Sequence, residues 1–374
     1  MKKLQLPLLA LALIAASSAS LAQSSVTVFG RVDVGLQRID NGVTTNRVDS
    51  GTYTASRLGF RGNEDLGGGL SALFYLESGI SADTGSAQGG TRFFNRGSFV
   101  GLSSKEFGTV TLGRQYVPMF WPFLFADDTG PLRLHGYSVV QSVQRSNFLR
   151  VNQAALTQPV ASGNLASGAG GIYSVGITSA FENNLVVYKT PSFNGLTLTG
   201  AVGAGEANVD SAKVFGANAE YRNGGLYLGA GWNQKQGAVT TTGAEQKVDE
   251  QLLGGMYSVT PELNLWGNVH GWKVSSGAGS SLNGHDAMLG ASYKTGQHQL
   301  WANYAKKSVG NCNSCDSTGF GIGYHYLLSK RSEIYASYGM VSNSANSANS
   351  LNGFSPIAAG IDVKGTAVGI AHQF

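Results

Sequence analysis

The chain has 374 residues, of which 53 are glycine and 8 proline, and 13% are charged where roughly 25% is usual for a soluble domain. Basic and acidic side chains nearly balance at 26 to 22, with no basic stripe, which excludes a nucleic-acid-binding face. Beyond residue 22 no stretch holds the roughly 18 apolar residues of a spanning helix, which excludes a helical membrane protein. In chain order, Lys2 and Lys3 precede an apolar run, Leu4 to Ala16, and then the small residues Ser20-Leu21-Ala22. This is the pattern of a cleaved secretory signal peptide over residues 1–22. It leaves residues 23–374 as one domain without an internal linker.

Strand signals then repeat with little interruption. They predict strands at Ser25–Arg38, Thr52–Glu64, Leu70–Ser81, Arg92–Ser103 and Gly108–Val117. A long irregular stretch occupies 118–180. Strands resume at Phe181–Pro191, Leu196–Glu206, Lys213–Arg222, Leu226–Gln236 and Val248–Val259. Glu262–Val274, Gly284–Lys294, His298–Ser308, Thr318–Leu328, Glu333–Ser342 and Ile361–Phe374 follow. Tight turns such as Asn194-Gly195 and Asn223-Gly224-Gly225 alternate with longer Gly/Ser/Asn loops. About sixteen strands of this length suit a tilted crossing of a bilayer, where roughly 9–11 residues are needed. The expected fold is an all-β, transmembrane antiparallel barrel. The low-complexity string Ser342–Phe354 reads as a surface loop.

The last strand shows the two-faced pattern plainly. Thr366, Val368, Ile370 and His372 form a bulky face, and Gly365, Ala367, Gly369 and Ala371 a small one. Phe374 ends it with an aromatic ring suited to an interfacial girdle. Trp266, Trp272, Trp301, Tyr324, Tyr326, Tyr335 and Tyr338 read as girdle residues too.

The same alternation assigns charges to the interior. In the first strand Val28, Val32 and Val34 form the apolar face, which turns Arg31 and Asp33 inward. Leu58 and Phe60 turn Arg57 and Arg61 inward, and Leu70, Ala72, Phe74 and Leu76 do the same for Glu77. An arginine on the lipid face near the midplane costs about 2–4 kcal/mol. An ion pair of Arg31 with Glu77 is one ordinary structural use of these charges.

No catalytic, metal or cofactor constellation is found. The six histidines form no HExxH pair, no Gly-Lys dipeptide marks a phosphate loop, and no serine sits in a GxSxG elbow. Cys312 and Cys315 are too few ligands for a metal. They read as a local disulfide in an exported loop, with two free thiols as the other reading.

The segments VTVFGRVDVG (Val26–Gly35), SRLGFRGNEDLGGGLSALFYLE (Ser56–Glu77), RGSFVGL (Arg96–Leu102) and FGTVTLGRQY (Phe107–Tyr116) resemble the general porins of Gram-negative outer membranes. YKTPSFNGL (Tyr188–Leu196), YHYLLSKRSEIYASYG (Tyr324–Gly339) and the terminal AVGIAHQF extend the resemblance, which is nearest to the beta-proteobacterial branch. It implies a 16-stranded barrel in the outer membrane, a homotrimer, passive diffusion of small ions and hydrophilic solutes, and contact with lipid and lipopolysaccharide. It also implies a third external loop folded into the lumen, and a terminal strand, ending at Phe374, read by the barrel assembly machinery. It places Arg96 and Arg114 on the lumen wall beside Arg31, Arg57 and Arg61. Asp127 and Asp128 of the loop, with Glu77, become the acidic side. A charge about 8 Å from a passing ion is worth about 0.5 kcal/mol in water and about 2 kcal/mol at an effective dielectric of 20, so weak anion preference is expected. The aromatic run Phe120-Trp121-Pro122-Phe123 departs from the family pattern. It supports an alternative, a substrate-specific binding channel.

Overall fold

A computed structural model of the protein describes residues 25–126, 180–205, 213–239, 245–276, 281–310, 312–351 and 354–374. The expected leader, Asp127, Asp128 and most of the predicted lumen loop lie outside these residues. The strands begin with β1 (Ser25–Asp40), β2 (Thr44–Ser50), β3 (Arg57–Gly67), β4 (Leu70–Ser81) and β5 (Ser86–Ala87). Next come β6 (Gly97–Ser104), β7 (Gly108–Tyr116), a short helix α1 (Phe120–Phe125), β8 (Phe181–Lys189), β9 (Leu196–Gly203) and β10 (Lys213–Asn223). They continue as β11 (Leu226–Val239), β12 (Glu245–Ser258), β13 (Leu263–Ser276) and β14 (Ser281–Thr295). The series ends with β15 (His298–Gly310), β16 (Ser317–Leu327), β17 (Ser332–Asn343) and β18 (Val363–Gln373).

Each wall strand pairs antiparallel with the next, and β18 returns to β1 with Val32 opposite His372 and Asp40 opposite Lys364. The sheet therefore closes. β2 and β3 both pair with β1, along Val34–Asp40 and Ser25–Arg31 respectively, so they share one wall position. With the two-residue β5 set aside in the loop after β4, the wall has sixteen positions.

Side chains alternate across this wall as pleating requires. On β1, Val28, Val32 and Leu36 are exposed outward while Arg31, Asp33 and Gln37 are buried inward. On β18, Val368 and Ile370 point out and Ala367 and Ala371 are buried. The outer face is a continuous apolar band, which in water would be an aggregation site and in a bilayer is the contact with lipid.

The predicted second strand, Thr52–Glu64, is broken. The chain leaves the wall between β2 and β3 and turns inward, and Thr52, Tyr53, Thr54 and Ser56 are wholly buried. Asp33 holds the turn: its carboxylate accepts from the Thr54 N–H (3.0 Å) and the Tyr335 hydroxyl (2.8 Å), and its N–H donates to Ser56 Oγ (3.0 Å). Tyr53 packs against the rings of His325 and Tyr335. Thr52, Tyr53 and Thr54 read as strand because residues of high β propensity are not excluded from a tight turn.

Four predicted girdle residues are corrected. Trp266, Trp272, Trp301 and Tyr335 are buried on the inner face, whereas Tyr324, Tyr326, Tyr338 and Phe374 stay on the outer one. Each inward ring lies over a glycine directly opposite on the next strand: Trp266 over Gly290, Trp272 over Gly284, Trp301 over Gly323 and Tyr335 over Gly369. The missing Cβ makes room for the ring, and the ring covers backbone that glycine leaves bare. The surface-loop reading of Ser342–Phe354 is corrected too: among its described residues, Ser347, Ala348, Asn349 and Leu351 are buried.

A Cβ at Gly290 would overlap the Trp266 indole, while one at the outward Gly200 meets nothing within 4 Å. Gly290→Val is expected to destabilise the barrel by about 1–3 kcal/mol and Gly200→Val to leave it unchanged. Guanidinium unfolding of refolded protein in detergent compares them, and equal midpoints would refute the packing role.

Candidate functional site

Five predicted arginines stand on the arc of wall from β1 to β7. Arg31 and Arg57 are directly opposite each other in the β1–β3 register. Like charges so placed repel and cost stability. Arg31 is offset by Glu333 of β17, N–O distance 3.1 Å, rather than by Glu77. That partner reaches it because β18 and β17 close on β1. Arg57 donates to the Ala55 carbonyl (3.1 Å) at the foot of the inward turn. Arg61 lies nearer the chain start of β1, is exposed to the lumen, and sits 5.4 Å from the Phe29 ring centroid.

Glu77 is committed elsewhere. It pairs with Arg96 and accepts from the Tyr75 hydroxyl. Arg96 also donates to Tyr116 Oη (3.2 Å) and lies 5.1 Å from the Phe181 ring centroid. The β7–β8 register shifts between Gly113 and Gln115, so simple alternation does not carry through to Arg114. Its partners are the Asn95 carbonyl and Asn183 Oδ1, both at 2.7 Å.

After β7, α1 runs against the wall on the far arc. Pro118 meets Gly216 of β10, Met119 meets Gly231 and Pro122 meets Gly229 of β11, and Ala126 meets Gly254 of β12. All four are inward positions. Phe120, Pro122, Phe123 and Leu124 are buried there, so this part of the aromatic run is packing, not an open stacking surface.

The predicted loop acids fall outside the described residues, but the wall from β8 onward carries acids that the sequence reading missed, the first of them beside Arg114. Glu182 pairs with Lys235 (2.7 Å) and Glu220 with Arg222 (3.5 Å). His270 stands between Asp286 (3.1 Å) and Glu250 (3.9 Å), with Lys307 beside them. The signal that marks them is inward phase. It is masked on β12 because Val248 and Leu252, on the same face as Glu250, are apolar. Cys312 and Cys315 are joined by a disulfide. Among the described residues no group of three or more His, Cys, Asp or Glu is arranged to hold a metal ion.

A closed barrel with a basic arc, a partly acidic arc and an apolar exterior is the architecture of a channel. The family model for Gram-negative porins matches residues 9–346. The chain belongs to the Gram-negative porin family. Outer membrane porin protein 32 of Delftia acidovorans is 33% identical to this porin over 385 residues, 98% of this chain and 99% of the relative. The anion-selective porin from Comamonas acidovorans superposes with a TM-score of 0.76 at 29% identity, covering 94% of this chain and 100% of that one. In-vitro folded OmpT of Vibrio cholerae, described in a trimer form, is similar in fold alone, with a TM-score of 0.65 at 15% identity over 94% of this chain and 99% of that one. This porin is therefore an outer-membrane channel for passive diffusion, not an enzyme.

Removing one partner of a buried ion pair costs about 3–5 kcal/mol, because the other charge is left behind. Glu77→Ala should accordingly lower thermal stability far more than Arg61→Ala, since Arg61 is exposed. Loss of folded porin on heated gels measures both, and equal sensitivity would sink the assignment of Glu77 as the anchor of Arg96.

Proposed function

We propose that this porin is a general diffusion channel with a modest preference for anions, set by Arg31, Arg57, Arg61, Arg96 and Arg114. The observation that carries the reading is the Arg31–Arg57 juxtaposition. Glu333 offsets Arg31 alone, and a wall built for stability alone has no use for two opposed arginines. On the same arc, Asp33 is spent on the inward turn and Glu77 on Arg96. In this reading the third external loop continues from α1 and carries Asp127 and Asp128 across from the arginines, giving a transverse field. Guanidinium groups stay charged throughout the accessible pH range, so the field is constant. Wall acids with basic partners cancel part of it, and salt screens over about 8 Å. A net bias of about 1.4 kcal/mol corresponds to tenfold, and the preference is of that order or less. Burial of Phe120 and Phe123 speaks against a binding channel built on the aromatic run.

In the same proposal the protein works as a homotrimer after removal of residues 1–22. Lys273 and Lys306 point outward at the long-loop end, above the apolar band, where they suit lipopolysaccharide phosphates; Lys247 beside them is paired with Asp249 (3.3 Å). Phe374 is the terminal signal for the barrel assembly machinery; its ring lies on Gly30 on the outer face, at the end of the barrel away from the long loops.

The selectivity reading is tested with Arg57→Ala combined with Arg61→Ala. Among the described residues neither has a carboxylate ion-pair partner, so folding should survive. The reversal potential in a salt gradient should move towards cations, and the shift should shrink at 1 M salt, where screening acts within about 3 Å. An unchanged anion/cation ratio at low salt would refute it. For Phe374, deletion should reduce trimer at the cell surface while protein refolded in detergent remains stable. Unchanged surface yield would count against the signal.

A further inference from the structure

The segment between β17 and β18, Ser344–Asp362, has the composition of an exposed linker, yet Ser347 and Asn349 are inaccessible and Ala348 and Leu351 nearly so. Burying that many polar groups is costly unless each is matched. Most of them are matched by lumen-facing residues of the wall. Asn343 of β17 donates through Nδ2 to the carbonyls of Asn349 (3.0 Å) and Ile361 (2.9 Å), and its Oδ1 accepts from the Asn349 N–H (2.8 Å). Asn349 Nδ2 donates to Ser317 Oγ of β16 (2.6 Å). Leu351 packs towards the inward Gly365 of β18, where Ile39 of β1 also lies. The described residues of the segment thus cross the inner face of β16, β17, β18 and β1 at the long-loop end of the barrel.

It is tied down at both sides. Asn346 donates from its backbone to the Ser314 carbonyl and from Nδ2 to the Asn313 carbonyl, both at 2.8 Å. Those acceptors are the two residues enclosed by the Cys312–Cys315 disulfide. On the other side Asn41 Nδ2 donates to the Ser355 carbonyl (2.6 Å), the Ile357 N–H donates to the Asn41 carbonyl (3.0 Å), and Arg47 lies 4.2 Å from the Phe354 ring centroid. From Ser344 to Ile361 the sequence contains no charged residue.

We propose that the connection between β17 and β18, through its described residues 344–351 and 354–362, forms a second constriction, seated in the external mouth and anchored by the disulfide turn, that filters solutes by size and leaves their charge to the arginine arc. The inference rests on the channel reading but not on its anion preference. Two constrictions in series add as resistances, so removing one that is no narrower than the other raises conductance by up to about twofold.

Replacing residues 345–360 by a short glycine-serine turn leaves every wall strand in place. The expected result is a rise in single-channel conductance of up to about twofold, entry of larger uncharged polyethylene glycols, and an unchanged anion/cation ratio. Unchanged conductance and exclusion limit overturn the proposal; a changed ratio with unchanged exclusion does so too. Failure of the arginine variants to alter selectivity would leave this result untouched, which separates the two readings. A second measurement does not depend on the replacement assembling. In intact channels a maleimide added from outside should label Ala345→Cys, which is exposed, and spare Ala348→Cys. Equal labelling means the segment is not seated. Adding Cys312→Ser and Cys315→Ser to Ala348→Cys should open that site to the reagent, and continued protection would refute the disulfide as the anchor.

Discussion

The seam between the first and last strands is what the rest of the molecule depends on. In a bilayer an unpaired backbone N–H or C=O costs several kcal/mol, and a sheet with an edge has a whole row of them. Here β1 and β18 pair from Arg31–Gln373 to Asp40–Lys364, and beyond the strand Gly30 and Phe374 exchange both backbone hydrogen bonds, at 3.2 and 3.1 Å. With no edge left, the wall presents only side chains to lipid. The same constraint explains the treatment of the break between β2 and β3. Where the chain leaves the wall, the Gly51 N–H still donates to the Asp33 carbonyl (3.0 Å) and the Ile80 N–H to the Ser56 carbonyl (3.0 Å). A buried carboxylate and two hydroxyls replace part of a ladder.

A rigid ring also brings remote sequence together cheaply. Arg31 meets Glu333 across 302 residues, and Asp33 meets Tyr335 across the same separation, because closure places β17 two positions from β1. The interior is then furnished from both ends of the chain. The arginines come from early strands, α1 from the connection after β7 lies on glycines of β10–β12, and the last external segment covers β16–β1. Each filler meets either glycine-lined wall or polar side chains already facing inward.

Sixteen wall strands and the inward phase of Arg31, Arg57, Arg61 and Glu77 were legible, because period-two alternation is strong when one face meets lipid and the other water. Legibility failed where the inner face is covered by protein. On β12 and β13 the inside holds Leu252 and Trp266 as well as Glu250 and His270, so hydrophobicity no longer separates the two faces. Composition misled at Ser342–Phe354, since serine and asparagine are buried when their partners are supplied by strands remote in sequence. The Arg31–Glu77 pairing failed for a similar reason: Glu77 lies two wall positions from Arg31 and beside Arg96, and ion-pair choice follows tertiary neighbours. The wall acids beyond β7 could have been found from Glu220, whose neighbours Asn218 and Arg222 are polar on the same face.

The ring-over-glycine pairs have a bearing on how such a pore can be altered. A tryptophan laid flat on a facing glycine is one object built from two positions. Changing the glycine alone produces overlap, and changing the tryptophan alone uncovers a strip of bare backbone. In a library randomised one codon at a time, Gly284, Gly290 and Gly323 would look invariant, and so would Trp272, Trp266 and Trp301. Randomised as couples, the same sites would admit exchanges, such as a pair of mid-sized residues standing side by side. The bore of the channel is adjustable there in joint steps, and a conventional scan would miss that freedom.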